Sequence, residues 1–113
     1  MTSVTDPDAW LRAELLEALE AVGYVGLYDA VWRINARLAL DAGEARALAG
    51  RVVRDLLASP GSDVELRLLS WPDGVAVSGE RPVSALAEEE SWLDGDPYLA
   101  VIVHGAVPVA DDL

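Results

Sequence analysis

The chain predicts an α+β fold: a three-helix unit with a small antiparallel sheet, plus a short C-terminal helix and strand. Three observations carry that expectation. Apolar residues recur at helical spacing through residues 7–58. The period then switches to two at Val64. A nearly all-apolar run, Tyr98 to Val103, follows after two further turn clusters. The 113 residues, 52% of them apolar, are expected to form a single domain, 1–113. Its parts are a core at 8–79, a helix–strand extension at 80–104 and a frayed tail at 105–113.

The first helix is marked by Asp6 as its cap, Pro7 at the first helical position and Asp8 at the positive end of the dipole. Leu11, Leu15, Leu19 and Val22 form its stripe, widened by Leu16 and Ala18, and Gly23 closes it in a left-handed conformation. Tyr24-Val25-Gly26 is too short for a helix and reads as a minimal strand. The second helix runs from Leu27 to Leu38, with Leu27, Val31, Ile34 and Leu38 on its buried face. The third starts at Asp41-Ala42-Gly43-Glu44, close to a capping box, and ends before Ser59-Pro60-Gly61-Ser62. Gly50, inside it, is expected to permit a close helix crossing.

Val64, Leu66 and Leu68 alternate with other residues as a half-buried strand should. Trp71-Pro72-Asp73-Gly74 is a turn, and Val75-Ala76-Val77 a returning strand, so residues 64–77 read as a hairpin. Pro82-Val83-Ser84 leads into a short helix over 85–90, and Asp94-Gly95-Asp96-Pro97 is a turn. Tyr98 to Val103 is expected to be buried on both faces.

Composition excludes several classes. No run approaches about 18 consecutive apolar residues, so no membrane-spanning helix is expected. The start, MTSVTDPDAW, shows no basic region before an apolar stretch. There are no cysteines, which removes disulfides, thiolate metal sites and a cysteine nucleophile and fits a cytoplasmic protein. Acids number 20 against 8 basic residues, for a net charge of −12. Residues 1–40 carry −3, residues 41–60 are neutral and residues 61–113 carry −9. A field of that sign disfavours nucleic acid and attracts a basic protein. It also serves solubility alone.

No catalytic constellation is visible, so the chain is read as a non-enzyme without cofactor. His104 is the only histidine. A triad with Ser70, Ser78 or Ser91 lacks the nucleophile elbow, which leaves a hydrogen-bonded strand-end residue. Gly23-Tyr24-Val25-Gly26 lacks the Lys and Ser/Thr of a phosphate loop. The densest anionic cluster is Glu88-Glu89-Glu90 with Asp94 and Asp96, and Glu80 precedes it. Calcium-loop spacing is absent, with no closing Glu after Asp96. Paired carboxylates for sugar cleavage would need a cleft that so small a domain has little room for. A docking surface for a basic partner and a plain solvated helix end both remain open. Trp10 and Trp32 are expected in the core. Trp71 and Trp92 are expected to be partly exposed, as anchors beside the acids. For Trp92 a second reading, packing of the last helix against the sheet, stands beside it.

The order over 8–79 resembles a winged helix-turn-helix domain: Gly23-Tyr24-Val25 as first strand, Leu27 to Leu38 and Asp41 to Ala58 as paired helices, Val64 to Val77 as wing. That resemblance implies a DNA contact through the helix at 41–58, with Arg46, Arg51 and Arg54 as contacts. The chain departs from the DNA-binding pattern. This helix is net neutral, the wing is acidic through Asp63, Glu65 and Asp73, and exposed base-reading side chains are lacking. The helix 83–90, Trp92 and the strand 98–103 are similar to small acidic bacterial proteins of winged-helix type, which implies an immunity or antitoxin partner of a basic toxin. Glu80, Glu88, Glu89, Glu90, Trp92, Asp94, Asp96 and Trp71 are then the expected partner contacts.

Overall fold

A computed structural model describes residues 6–59, 63–70, 75–77, 79–93, 95 and 97–106. Helix α1 spans Pro7–Val22. The Asp6 carboxylate accepts the Ala9 amide, and the Gly23 amide donates to the Leu19 carbonyl with φ at 88°. Both ends are therefore closed as the sequence implied. A Cβ on Gly23 would lie 2.6 Å from that of Ala106, so space as well as conformation demands glycine there.

Strand β1 (Tyr24–Gly26) leads directly into α2 (Leu27–Arg37), and α3 spans Ala42–Ala58. The capping box at the start of α3 is complete: Asp41 accepts the Glu44 amide while Glu44 accepts the Asp41 amide. Strands β2 (Val64–Leu69) and β3 (Tyr98–Val103) complete the regular elements. The result is α+β, three helices and a three-stranded antiparallel sheet of order β1-β3-β2.

Burial follows periodicity in most places, although Leu16 and Val22 of the expected α1 stripe are exposed. Leu11, Leu15 and Leu19 of α1 pack with Ile34 of α2, Leu48 and Val53 of α3, and the sheet residues Val25, Leu66, Leu99 and Val101. The opposite sheet face holds a smaller cluster of Leu69, Ala76, Tyr98, Ala100 and Ile102, flanked by Tyr24 and Tyr28. β3 is paired on both sides and buried on both faces, which explains its unbroken apolar run.

Four expectations are corrected. First, the full-length partner of β2 is β3, and the expected hairpin survives on the other edge of β2 only as a short contact, with the Ser70 amide donating to the Val75 carbonyl at 2.8 Å and the Val77 amide to the Leu68 carbonyl at 3.0 Å. The returning chain makes only isolated bridges, Leu69 with Ala76 and Leu66 with Arg81. Three steps along β2 there face five steps along its neighbour, so two extra residues break the ladder. The turn at 71–74 lies outside the described residues.

Second, the expected helix at 85–90 is two 3-10 turns, Val83–Ala87 and Glu89–Trp92, separated by an extended Glu88. The Trp92 indole Nε1 donates to the Leu86 carbonyl at 2.9 Å. That carbonyl would otherwise accept from Glu90 in an α-helix, and three adjacent glutamates gain nothing from being wound together.

Third, Trp32 is 69% exposed rather than in the core. It stands two residues from both Ala30 and Ile34, the buried positions, and so points away from them. Fourth, Gly50 does not serve a helix crossing. A Cβ there would meet the Trp92 ring at 3.8 Å, an ordinary contact. Residues 107–113 of the expected frayed tail lie outside the described residues. Among the described residues no helix is long and apolar enough to cross a membrane.

Candidate functional site

The acidic segment begins where the chain leaves its bridge to β2 at Arg81. Ala85 and Leu86 are buried, and the first 3-10 turn packs on α3. Trp92 is 7% exposed, lying against α3 at Gly50. It is therefore buried, as the packing reading had it, although against α3, and is not an exposed anchor. It pins the segment from beneath, and its one polar atom is used internally. With that side inward, Glu80, Glu88, Glu89 and Glu90 are all exposed. Asp94, Asp96 and Trp71 lie outside the described residues.

Charge is compensated very differently along the chain. Asp8 receives two hydrogen bonds from Arg51, at 3.1 and 3.0 Å. These bonds hold the Asp8 carboxyl below its ordinary pKa, against a small opposing effect of burial, and raise that of Arg51. Arg12 pairs with Asp55, and Arg33 bridges Asp29 at 3.1 Å and Glu14 at 3.4 Å. Asp6, Asp41 and Glu44 are occupied as caps. Glu80, Glu88 and Glu90 have no ion pair among the described residues, and Glu89 only a loose one, 3.9 Å from Arg46 and largely in solvent.

The three arginines of the DNA reading do share one face of α3. They line an open groove of about 670 Å3 with Gly43, Ala47 and Gly50 along its floor. Two are engaged, Arg51 by Asp8 and Arg46 by Glu89. Arg54 alone has no partner among the described residues. These partners come from the acidic segment and from α1, not from within α3.

Sequence reasoning missed a cluster at the far end of the sheet. The His104 amide donates to the Asp63 carbonyl at 2.8 Å. Its Nδ1 meets the Asp63 carboxylate at 2.6 Å, and its Nε2 meets Glu65. Glu65 is 7% exposed and also pairs with Arg67. Both ring nitrogens face carboxylate oxygens, which only the imidazolium satisfies. The pKa of His104 is accordingly raised, mainly by the bond to Asp63, with burial opposing and with the charges of Glu65, Asp63 and Glu80 adding. The signal was the pairing of β2 with β3, which joins residues 63 and 104. The hairpin reading had hidden it.

Tyr98 opens β3 in edge-to-face contact with Tyr28, ring centres 5.4 Å apart. Its pKa is pushed up to about 12, chiefly by burial, with Tyr24, Tyr28 and Asp29 contributing, so the phenol stays neutral. Beside it, between the sheet and the acidic segment, lies a cleft of about 390 Å3. Among the described residues no group of three His, Asp or Glu side chains is arranged to hold a metal ion. Comparison of the chain with protein-family models, with curated proteins and with solved structures found no match.

Proposed function

We propose that the chain is a non-catalytic interaction module that presents its acidic segment, residues 80–96, to a basic partner protein, in the manner of an immunity or antitoxin protein neutralising a basic toxin. The observation carrying this reading is the uncompensated charge of Glu80, Glu88 and Glu90 on a segment pinned by Trp92. Charges already paired within a fold have little left to offer a partner. Exposed, unpaired ones on a rigid support steer association and set its salt dependence.

The test compares two charge reversals of equal size. Immobilised protein is challenged with a set of purified small basic proteins, nucleases among them, at rising salt. Glu88→Lys with Glu90→Lys is expected to abolish capture. Glu17→Lys with Glu20→Lys, on exposed α1 positions, should leave most of it. Equal loss in both would reduce the effect to bulk charge and end the reading.

A second reading, a winged-helix DNA-binding regulator, is favoured by one observation. Helix, strand, two helices and then strands in the order β1-β3-β2 suit a winged helix, with Arg46, Arg51 and Arg54 on the exposed face of α3. Against it, Glu89 stands beside Arg46 at the rim of that face, where phosphate oxygens would have to come. A mobility-shift series with duplex DNA at low salt decides. Retardation lost in Arg54→Ala would favour regulation over docking.

A further inference from the structure

We propose that the cleft beside the acidic segment receives one cationic side chain, a lysine or an arginine, from the partner protein; this rests on the docking reading above and names its point of engagement. The cleft lies where the start of β3 faces the two 3-10 turns. Leu68, Pro82, Ala85 and Leu99 give it apolar walls, suited to the aliphatic stem of Lys or Arg, which buries its methylenes while its head group seeks polar partners.

Polar groups for that head group are in place. Glu88 and Glu90 line the cleft, are exposed and have no ion pair among the described residues. Ser91 lines it as well. It is 9% exposed, yet its hydroxyl has no hydrogen-bond partner among the described residues. No buried polar side-chain atom among the described residues lacks a partner, so the unbonded Ser91 oxygen is open to solvent within the cleft and free to accept from a donor there. A head group that only donates, as ammonium and guanidinium do, matches two carboxylates and a hydroxyl oxygen.

The chain carries its own competitor. Arg81 also lines the cleft, is exposed and makes no ion pair among the described residues. Its guanidinium lowers the negative charge of the cleft without closing it. Removing that charge should therefore strengthen binding, whereas a merely solvated acidic surface would show no such site-specific gain.

The test is an amide-resolved NMR titration of the whole chain with acetyl-Gly-Gly-Arg-Gly-Gly-amide, its lysine counterpart, and the same peptide with neutral citrulline. Saturable shifts at Ser91 and Leu99 are expected with arginine or lysine and not with citrulline. Arg81→Gln should tighten binding about threefold, and Glu88→Gln with Glu90→Gln should weaken it about tenfold, as expected for charge-assisted contacts at a partly exposed site. Equal shifts with citrulline, shifts that never saturate, or indifference to these substitutions would overturn the proposal. Failure here with charge-specific capture of basic proteins intact removes the cleft and keeps the docking reading. Saturable, charge-dependent peptide binding without any such capture keeps the cleft and removes the docking reading.

Discussion

In the helical half, residues 6–59, every acid except Glu17 and Glu20 either caps a helix or meets an arginine. In the described residues from 63 onward, Asp63 and Glu65 are tied to His104, Glu89 barely reaches Arg46, Glu80 acts on His104 only through its charge, and Glu88 and Glu90 make no ion pair. The two halves share one core, since Trp92 and Leu86 belong to the cluster that includes α1 and α3. They differ in what their charge is for. In the first it caps helices and ties α1 to α2 and α3. In the second it is held outward by a buried tryptophan, and a net charge of −12 says nothing of that division.

The strongest way to break the comparison is Trp92→Ala. If the segment is an integral part of the core, the loss should be about 3–5 kcal/mol in chemical denaturation, the range for deleting a large buried aromatic. A loss under about 1 kcal/mol, with amide exchange in α3 unchanged, would make the segment an appendage. Next come two glycines that look alike in sequence. Gly23→Ala meets both a left-handed backbone and the Ala106 side chain, and should cost about 1–3 kcal/mol. Gly50→Ala meets only an ordinary contact with Trp92 and should stabilise by up to about 1 kcal/mol through helix propensity. Thermal unfolding of both, moving in opposite directions, checks the pair.

The smallest effects are the charge clamps, and they titrate from opposite sides. The raised pKa of His104 means that its contribution is complete below about pH 6.5 and is lost as pH climbs through the folded-state value. The lowered pKa of Asp8 means the reverse: its contribution is present above the model-peptide value near 3.8 and is lost as pH falls through the folded-state value. His104→Gln should flatten the alkaline limb of a stability–pH curve and spare the acid limb. Asp8→Asn should soften the acid limb, with a loss at neutral pH of about 0.2–1 kcal/mol, as for other exposed pairs.

Much of the fold was legible because its signals are local. Asp6, Pro7 and Gly23 bound α1, and Asp41 with Glu44 opens α3. The failures share one cause. Which strand pairs with which is a long-range matter: Val75-Ala76-Val77 does meet β2, but only through the Leu69–Ala76 bridge, while the full-length partner lies far along the chain. With β3 on the other edge of β2, residues 63 and 104 meet and a cluster invisible in sequence appears. For Trp92 the packing reading held, but its partner surface was not legible. An indole beside three glutamates looks exposed until α3 supplies a surface with Gly50 at its centre. The exposed glutamates themselves needed no structure to find. Their lack of partners, and the cleft beside them, did.

The middle strand of the sheet is the last to be made. Val25 and Leu66 both pair with Val101, so neither outer strand has its partner until the ribosome has released residues 98–103. Until then the edges of β1 and β2 are open and the helical core lacks its floor, a state exposed to aggregation and proteolysis. Folding of this chain is thus expected to await synthesis of β3. Fragments stopped before Tyr98 should be recognised by the cell as unfinished rather than accumulate as a stable three-helix unit.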